Sequence, residues 1–170
     1  IFAGFSRTYL ARKWYGDGKI KNAIELLERH LPEVEKTGYQ RLIGEYHSML
    51  AEYRMSLGDV GVAEKHANSA VAQSAAILSS LPLVVAYRVL YEVAEMRGDP
   101  VTALVQYRKF AEADKAYLNE VKTREMAYQL VRQQILQKNQ QISLLDQQNQ
   151  VIQLQSKLDQ KSSHNTRLIV

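Results

Sequence analysis

The chain has 170 residues, 46% apolar and 24% charged, with no cysteine; that is enough for one or two folded domains and excludes disulfides, thiolate metal sites and a Cys nucleophile. No stretch within it reaches the ~18 apolar residues of a membrane span, although the abrupt stop at Leu168-Ile169-Val170 and the lack of a leading Met are expected of a piece of something longer. The formal net charge of +4 is uneven, with fifteen basic and fifteen acidic residues in 1–120 but seven and three in 121–170, and basic residues spread this thinly among Gln do not form a nucleic-acid footprint.

Helical periodicity runs throughout and no strand-like alternation bounded by turns is found, so the chain reads as all-α. The first pair of helices is expected over 2–15 and 19–36, joined at Gly16-Asp17-Gly18. Pro32 should end or kink the second of them near His30, because proline lacks the N–H and crowds the preceding turn. A second pair is expected over 39–57 and 60–79, joined at Gly58-Asp59. A third is expected over 82–97 and from 100 onward, joined at Gly98-Asp99. In each joint Gly supplies the left-handed residue that ends a helix, and Asp is expected to accept hydrogen bonds from the free N–H groups of the next. Pro100 sits where a first-turn proline is favoured, and Ser79-Ser80-Leu81-Pro82 reads as a further helix start.

These joints keep time. Gly18, Gly58 and Gly98 stand 40 residues apart, Ala23, Ala63 and Ala103 follow by five, and Leu10, Leu50 and Leu90 precede by eight. A fixed period of this size marks a solenoid of helical hairpins, each burying its apolar face against its neighbours. The Ala triplet lets paired helices approach, the Leu triplet is expected to fill the facing side, and Leu27, Ala67 and Tyr107 occupy the next core turn with different sizes.

After Pro100 no Gly or Pro occurs, and twelve Gln fall between Gln129 and Gln160. An apolar seam persists through this polar run at Tyr128, Val131, Ile135, Ile142, Leu145 and Ile152. Spacings of three, four and seven place them at a and d of heptads, with Lys138 and Asn149 as polar members. This predicts a coiled coil over 121–166, and Asn149 at a favours a parallel dimer in register. A second stripe, Leu144, Val151, Leu154 and Leu158, leaves this frame and suggests a stutter.

The sets Leu10-Ala11, Gly18, Ala23; Leu50-Ala51, Gly58, Ala63; and Leu90-Tyr91, Gly98, Ala103 resemble the tetratricopeptide (TPR) repeat over 1–117. Trp14 and Pro32 fall outside that pattern, and the period is 40 rather than about 34, so the helices should be longer than usual. The passage from 107–120 into the Gln-Leu heptads of Lys138–Leu158, with Arg167-Leu-Ile-Val opening an apolar segment, is similar to bacterial membrane sensors. In that family a periplasmic TPR region feeds a coiled coil, a membrane helix and a cytoplasmic GGDEF diguanylate cyclase or, less often, a histidine kinase. The resemblance implies a TPR-like domain over 1–120, a signalling helix over 121–166, the start of a membrane helix at 167–170 and a periplasmic location. No GGDEF motif is present, so cyclase activity would belong to the rest of the parent.

No catalytic constellation is found: Asp and Glu are scattered, with no Gly-rich phosphate loop and no nucleophile elbow. None of His30, His47, His66 and His164 stands in a metal motif, so neither metal nor cofactor is expected. The first helices of the units are expected to line a concave groove for an extended peptide or protein. Inward positions are Phe5, Thr8, Arg12 and Tyr15; Glu45, Ser48, Glu52 and Met55; and Val85, Arg88, Glu92 and Glu95. The Lys and Asn set with which co-chaperone TPR domains hold a terminal carboxylate is missing, and Tyr46, Tyr53, Tyr87, Tyr91 and Tyr107 read as interhelix packing. The expected function is a non-catalytic sensor that binds a peptide or protein and signals through a dimeric coiled coil; the alternative is a cytosolic adaptor whose tail assembles partners.

Overall fold

The computed structural model describes the backbone of residues 2–168 and the side chains of 3–164. The described chain is all-α, without a strand. In order it forms α1 (Phe2–Gly16), α2 (Ile20–Lys36), α3 (Gln40–Ser56), α4 (Val60–Ser74), α5 (Leu81–Met96) and α6 (Pro100–Leu168). It divides into two compact units, Ile1–Val121 and Lys122–Val170.

Backbone chemistry explains the metre. Gly18, Gly58 and Gly98 have φ of 76°, 79° and 68°, a region closed to most residues with a Cβ. Each is followed by a six-residue closing bond, Lys19 N–H to Trp14 O, Asp59 N–H to Arg54 O and Asp99 N–H to Ala94 O, the Schellman arrangement that satisfies orphan carbonyls at a helix end. Gly38, with φ 64°, is a fourth left-handed stop, between α2 and α3, but there the following N–H, of Tyr39, donates to Thr37 Oγ1 at 3.2 Å instead. The stops therefore recur every 20 residues, once per helix, until position 78, where Leu stands instead.

The expected Asp caps form once. Thr102 N–H donates to Asp99 Oδ1 at 3.0 Å, and that bond holds the Asp99 carboxyl below the usual carboxylate range. Asp59 stands at the cap of α4 without capping it, because its Oδ2 accepts from Arg54 Nη1 at 2.8 Å instead. Lys19, not Asp17, precedes α2. Pro32 does not end α2: beyond it Val34 is buried in the same cluster as Ala23, Ile24 and Leu27, and Leu31 packs against that cluster, so tertiary burial holds the helix through the lost bond. The helix expected to reach 79 stops at Ser74. There α4 crosses α3 so closely that a Cβ on Gly44 would stand 2.5 Å from Ser74 Oγ.

The core of the first unit is a relay. One cluster joins Ala11 of α1, Ala23, Ile24, Leu27 and Val34 of α2, and Leu42, Tyr46, Leu50 and Tyr53 of α3. The next joins Ala51, Ala63, Ala67 and Ala70 to Ala86, Val89, Leu90 and Val93 of α5. A third joins Leu83 and Val84 to Ala113, with Phe110 and Tyr117 against it. Each hairpin thus leaves an apolar face that the following helix covers, and each large side chain so buried contributes about 1.5–3 kcal/mol.

Two core expectations change. Leu10 is 37% exposed, whereas Leu50 and Leu90 are buried, because their cover comes from the preceding hairpin and α1 has none among the described residues. Tyr107 is 49% exposed and meets Tyr91 edge-on, with ring centroids 5.4 Å apart. Tyr91 and Tyr107 stand where the earlier hairpins have Ala11 with Leu27 and Ala51 with Ala67. The aromatic pair therefore stands on the side that α3 and α5 cover in the earlier hairpins, and with Ala103 and Leu104 it lines an open cleft.

Candidate interaction surfaces

The first helices of the hairpins, α1, α3 and α5, are tied side by side by charge. Arg12 Nη2 donates to Glu45 Oε1 at 2.9 Å, linking α1 to α3. Arg88 Nη2 donates to Glu52 Oε1 at 2.6 Å, linking α5 to α3, and its Nη1 donates to Glu92 at 3.1 Å. Burial opposes the charge on Arg88, but the two carboxylates outweigh it and raise its pKa. Tyr15 stacks on Tyr53, centroids 4.2 Å apart and 11° from parallel, and its hydroxyl pairs with Ser56 Oγ at 2.9 Å. Tyr91 is hydrogen-bonded to Glu95.

The inward positions therefore behave differently from one another. Arg12, Glu45, Glu52, Arg88 and Glu92 form the ladder, and a charged peptide must compete with these pairs to engage them. Tyr15 and Glu95 have partners of their own, and half-buried Phe5 meets Tyr39 edge-on at 6.2 Å. Met55 and Val85 are half-buried against the second cluster. Thr8 and Ser48 do not line a groove: both are buried, and their hydroxyls donate to Phe5 O and Glu45 O within their own helices. A side chain this short, once beneath a neighbouring helix, satisfies itself on the turn below.

A second set of pairs ties second helices to the following first helices. Arg54 donates to Glu28 and Asp59, and these hydrogen bonds, Glu28's first, raise its pKa. Arg97 holds Glu64 bidentately at 2.7 and 2.6 Å, which lowers the Glu64 pKa. Lys21, Glu25, Glu28, Arg54 and Asp59 line an open cleft beside the first of these sets. Exposed and partly exposed pairs of this kind add little to stability because solvent screens them, so both sets fix register more than they stabilise.

One polar cluster escaped the spacing argument. His47 Nδ1 and His66 Nδ1 lie 2.9 Å apart, with Glu35 Oε1 3.4 Å from His47 Nε2. The two residues are 19 apart and on different helices, so no local motif announces them. One Nδ1 must donate while the other accepts, which requires that the accepting ring be neutral and excludes two charged rings. Burial lowers the His47 pKa. Burial and then His47 push the His66 pKa down to about 4. Among the described residues no group of three or more His, Cys, Asp and Glu converges as a metal site.

In the second unit every described side chain, 122–164, is exposed. That includes the whole heptad seam: Tyr128, Val131, Ile135, Ile142, Leu145, Asn149 and Ile152. The off-frame stripe Leu144, Val151, Leu154 and Leu158 is exposed as well. No helix of the described residues is long and apolar enough to cross a membrane, and of the expected opening at 167–170 the side chains lie outside the described residues. Comparison with protein-family models, with curated proteins and with solved structures finds no match.

Proposed function

We propose that this chain is a non-catalytic interaction and dimerisation module. Its repeat-like unit holds a peptide or protein on the face of α1, α3 and α5. The helix beyond 121 pairs in parallel with a second copy and passes the bound state to an output domain, which the resemblance makes a diguanylate cyclase on a membrane-anchored parent with the repeats on the periplasmic side. The observation that carries this reading is the exposed seam. A helix of this composition with an unburied apolar stripe has too little to hold it in water alone, whereas heptad pairing buries a and d and lets the Asn149 amides meet.

Sedimentation equilibrium of the full chain should give a dimer. Ile135→Asp with Ile142→Asp should give a monomer with the melting of the repeat-like unit retained, because both positions are exposed in the single chain. A monomeric parent chain, or a charged variant that dimerises as tightly as the parent, refutes the proposal.

A further inference from the structure

Four positions of α3 and α5 pack on the hairpin before them. In α3 they are Tyr46, Met49, Leu50 and Tyr53, which join the cluster of Ala11, Ala23 and Leu27. In α5 they are Ala86, Val89, Leu90 and Val93, which join the cluster of Ala51, Ala63 and Ala67. All eight are buried. The same positions of α1, one period of 40 earlier, are Ser6, Tyr9, Leu10 and Lys13, and all four are exposed. Tyr9 and Leu10 thus present an apolar surface of the kind that α3 and α5 bury.

The receiving surface recurs too. The first two hairpins offer Ala11, Ala23 and Leu27, and then Ala51, Ala63 and Ala67, each beneath the next helix. The third offers Tyr91, Ala103 and Tyr107, and there α6 runs on without turning into a further hairpin. Leu104 and Tyr107 are 54% and 49% exposed, and the cleft they line also holds Glu95 and Asp99 but no basic residue. Charge matches across the two surfaces, because α1 carries Arg7, Arg12 and Lys13 and no carboxylate. One pair can be placed by register. Tyr53 stacks on Tyr15 where α3 meets the first hairpin. Lys13 stands at the position of Tyr53, and Glu95 at that of Tyr15, two periods on.

We infer that the open face of α5 and α6 seats α1 of a second copy of this chain, with Leu10 over Ala103 and Tyr107 and Lys13 beside Glu95. The inference does not rest on the pairing proposed above. Because the two surfaces differ, the contact is heterologous, and further copies extend it instead of closing it in a pair. One helix on one cleft falls at the small end of protein interfaces. The link therefore appears at higher concentration than the pairing of the seam, and the seam-charged variant is a monomer until then.

The test uses the full chain with Ile135→Asp and Ile142→Asp, so that the seam contributes nothing. Sedimentation velocity at rising concentration should show growth beyond a dimer. Tyr9→Asp with Leu10→Asp, or Leu104→Asp with Tyr107→Asp, should each weaken that growth about 10- to 100-fold, as for the loss of one or two buried apolar contacts. The four residues are exposed, so the melt of the repeat-like unit should be retained. Mixed together, these two charged chains should form a one-to-one complex and stop there, since one intact α1 meets one intact cleft. Lys13→Glu should weaken the link about 3- to 5-fold, and Glu95→Lys in the same chain should restore it. A seam-charged chain that is monomeric at every concentration, a chain charged at Tyr9 and Leu10 that still self-associates as its parent does, or a mixture that forms no complex overturns the inference. None of these outcomes bears on the seam, which is read on the parent chain.

Discussion

Replacing His66 with Asn isolates the acid sensitivity of the hairpin formed by α3 and α4. In the folded chain the His66 pKa is pushed down to about 4, against about 6.5 for the unfolded residue. The folded form therefore prefers the neutral ring, the unfolded chain takes up the proton first, and stability falls with pH between 6.5 and about 4. That interval at 1.36 kcal/mol per pH unit gives an upper bound of about 3.4 kcal/mol, of which about 1.8 kcal/mol falls between pH 7 and pH 5. His66 is only half-buried, and halving for solvent screening leaves about 1 kcal/mol. The groups that face the pair do not cancel this. Glu28 favours the charged ring, but Arg54 and His47 oppose it, and His47, itself lowered by burial despite Glu35, adds in the same sense. Glu33 and Glu64 are lowered carboxylates, and their contribution is lost only at more acid pH.

The assay is chemical denaturation at pH 7, 6 and 5, read by the fluorescence of Trp14, the single tryptophan, which packs against the cluster that α3 completes. The parent should lose about 1 kcal/mol or more over that range, and His66→Asn, neutral throughout, should lose about 1 kcal/mol less. If the two chains fall in parallel, the imidazole pair is not what titrates and the reasoning fails.

Two backbone changes should move stability in opposite directions. Gly58→Ala forces a Cβ into φ 79° with open space around it, so the cost is conformational alone, about 1–2 kcal/mol; a thermal midpoint equal to the parent's would refute it. Pro32→Ala restores an N–H that can reach Glu28 O inside α2 at an exposed position. It should raise the unfolding free energy by about 1–3 kcal/mol, and a lower midpoint in calorimetry would mean that the ring itself is packed in place.

The parts of the fold legible in the sequence were those a single residue type enforces. A left-handed helix stop nearly requires Gly, and a close helix approach nearly requires Ala, so Gly18, Gly58, Gly98, Ala23, Ala63 and Ala103 stood out. Gly38 did the same work but falls at half the period, where a 40-residue comparison does not look. Pro32 misled because local strain competes with burial, and Val34 and Leu31 supply burial on both sides of it. The ladder was half legible: Arg12, Glu45, Glu52 and Arg88 were placed on the inner face, but which charge meets which depends on the offset between helices, and the paired residues are 33 and 36 apart rather than 40. Thr8 and Ser48 show the limit of counting from a reference position, since one helical step separates a groove-lining hydroxyl from a buried one. The His47–His66 pair was invisible because only packing joins α3 to α4 at that level.

The tyrosines at 91 and 107 bear on how such an array can grow. Tandem duplication adds a hairpin by copying one that already fits its neighbour, and the first two present small or aliphatic pairs that accept an incoming helix. A hairpin inserted after the first or second meets a ready-made seat. One appended after the third would meet two rings in edge-to-face contact and would have to pack on them rather than on small side chains. Lengthening of such an array would therefore ask less of a hairpin inserted in its interior than of one added beyond Tyr91 and Tyr107.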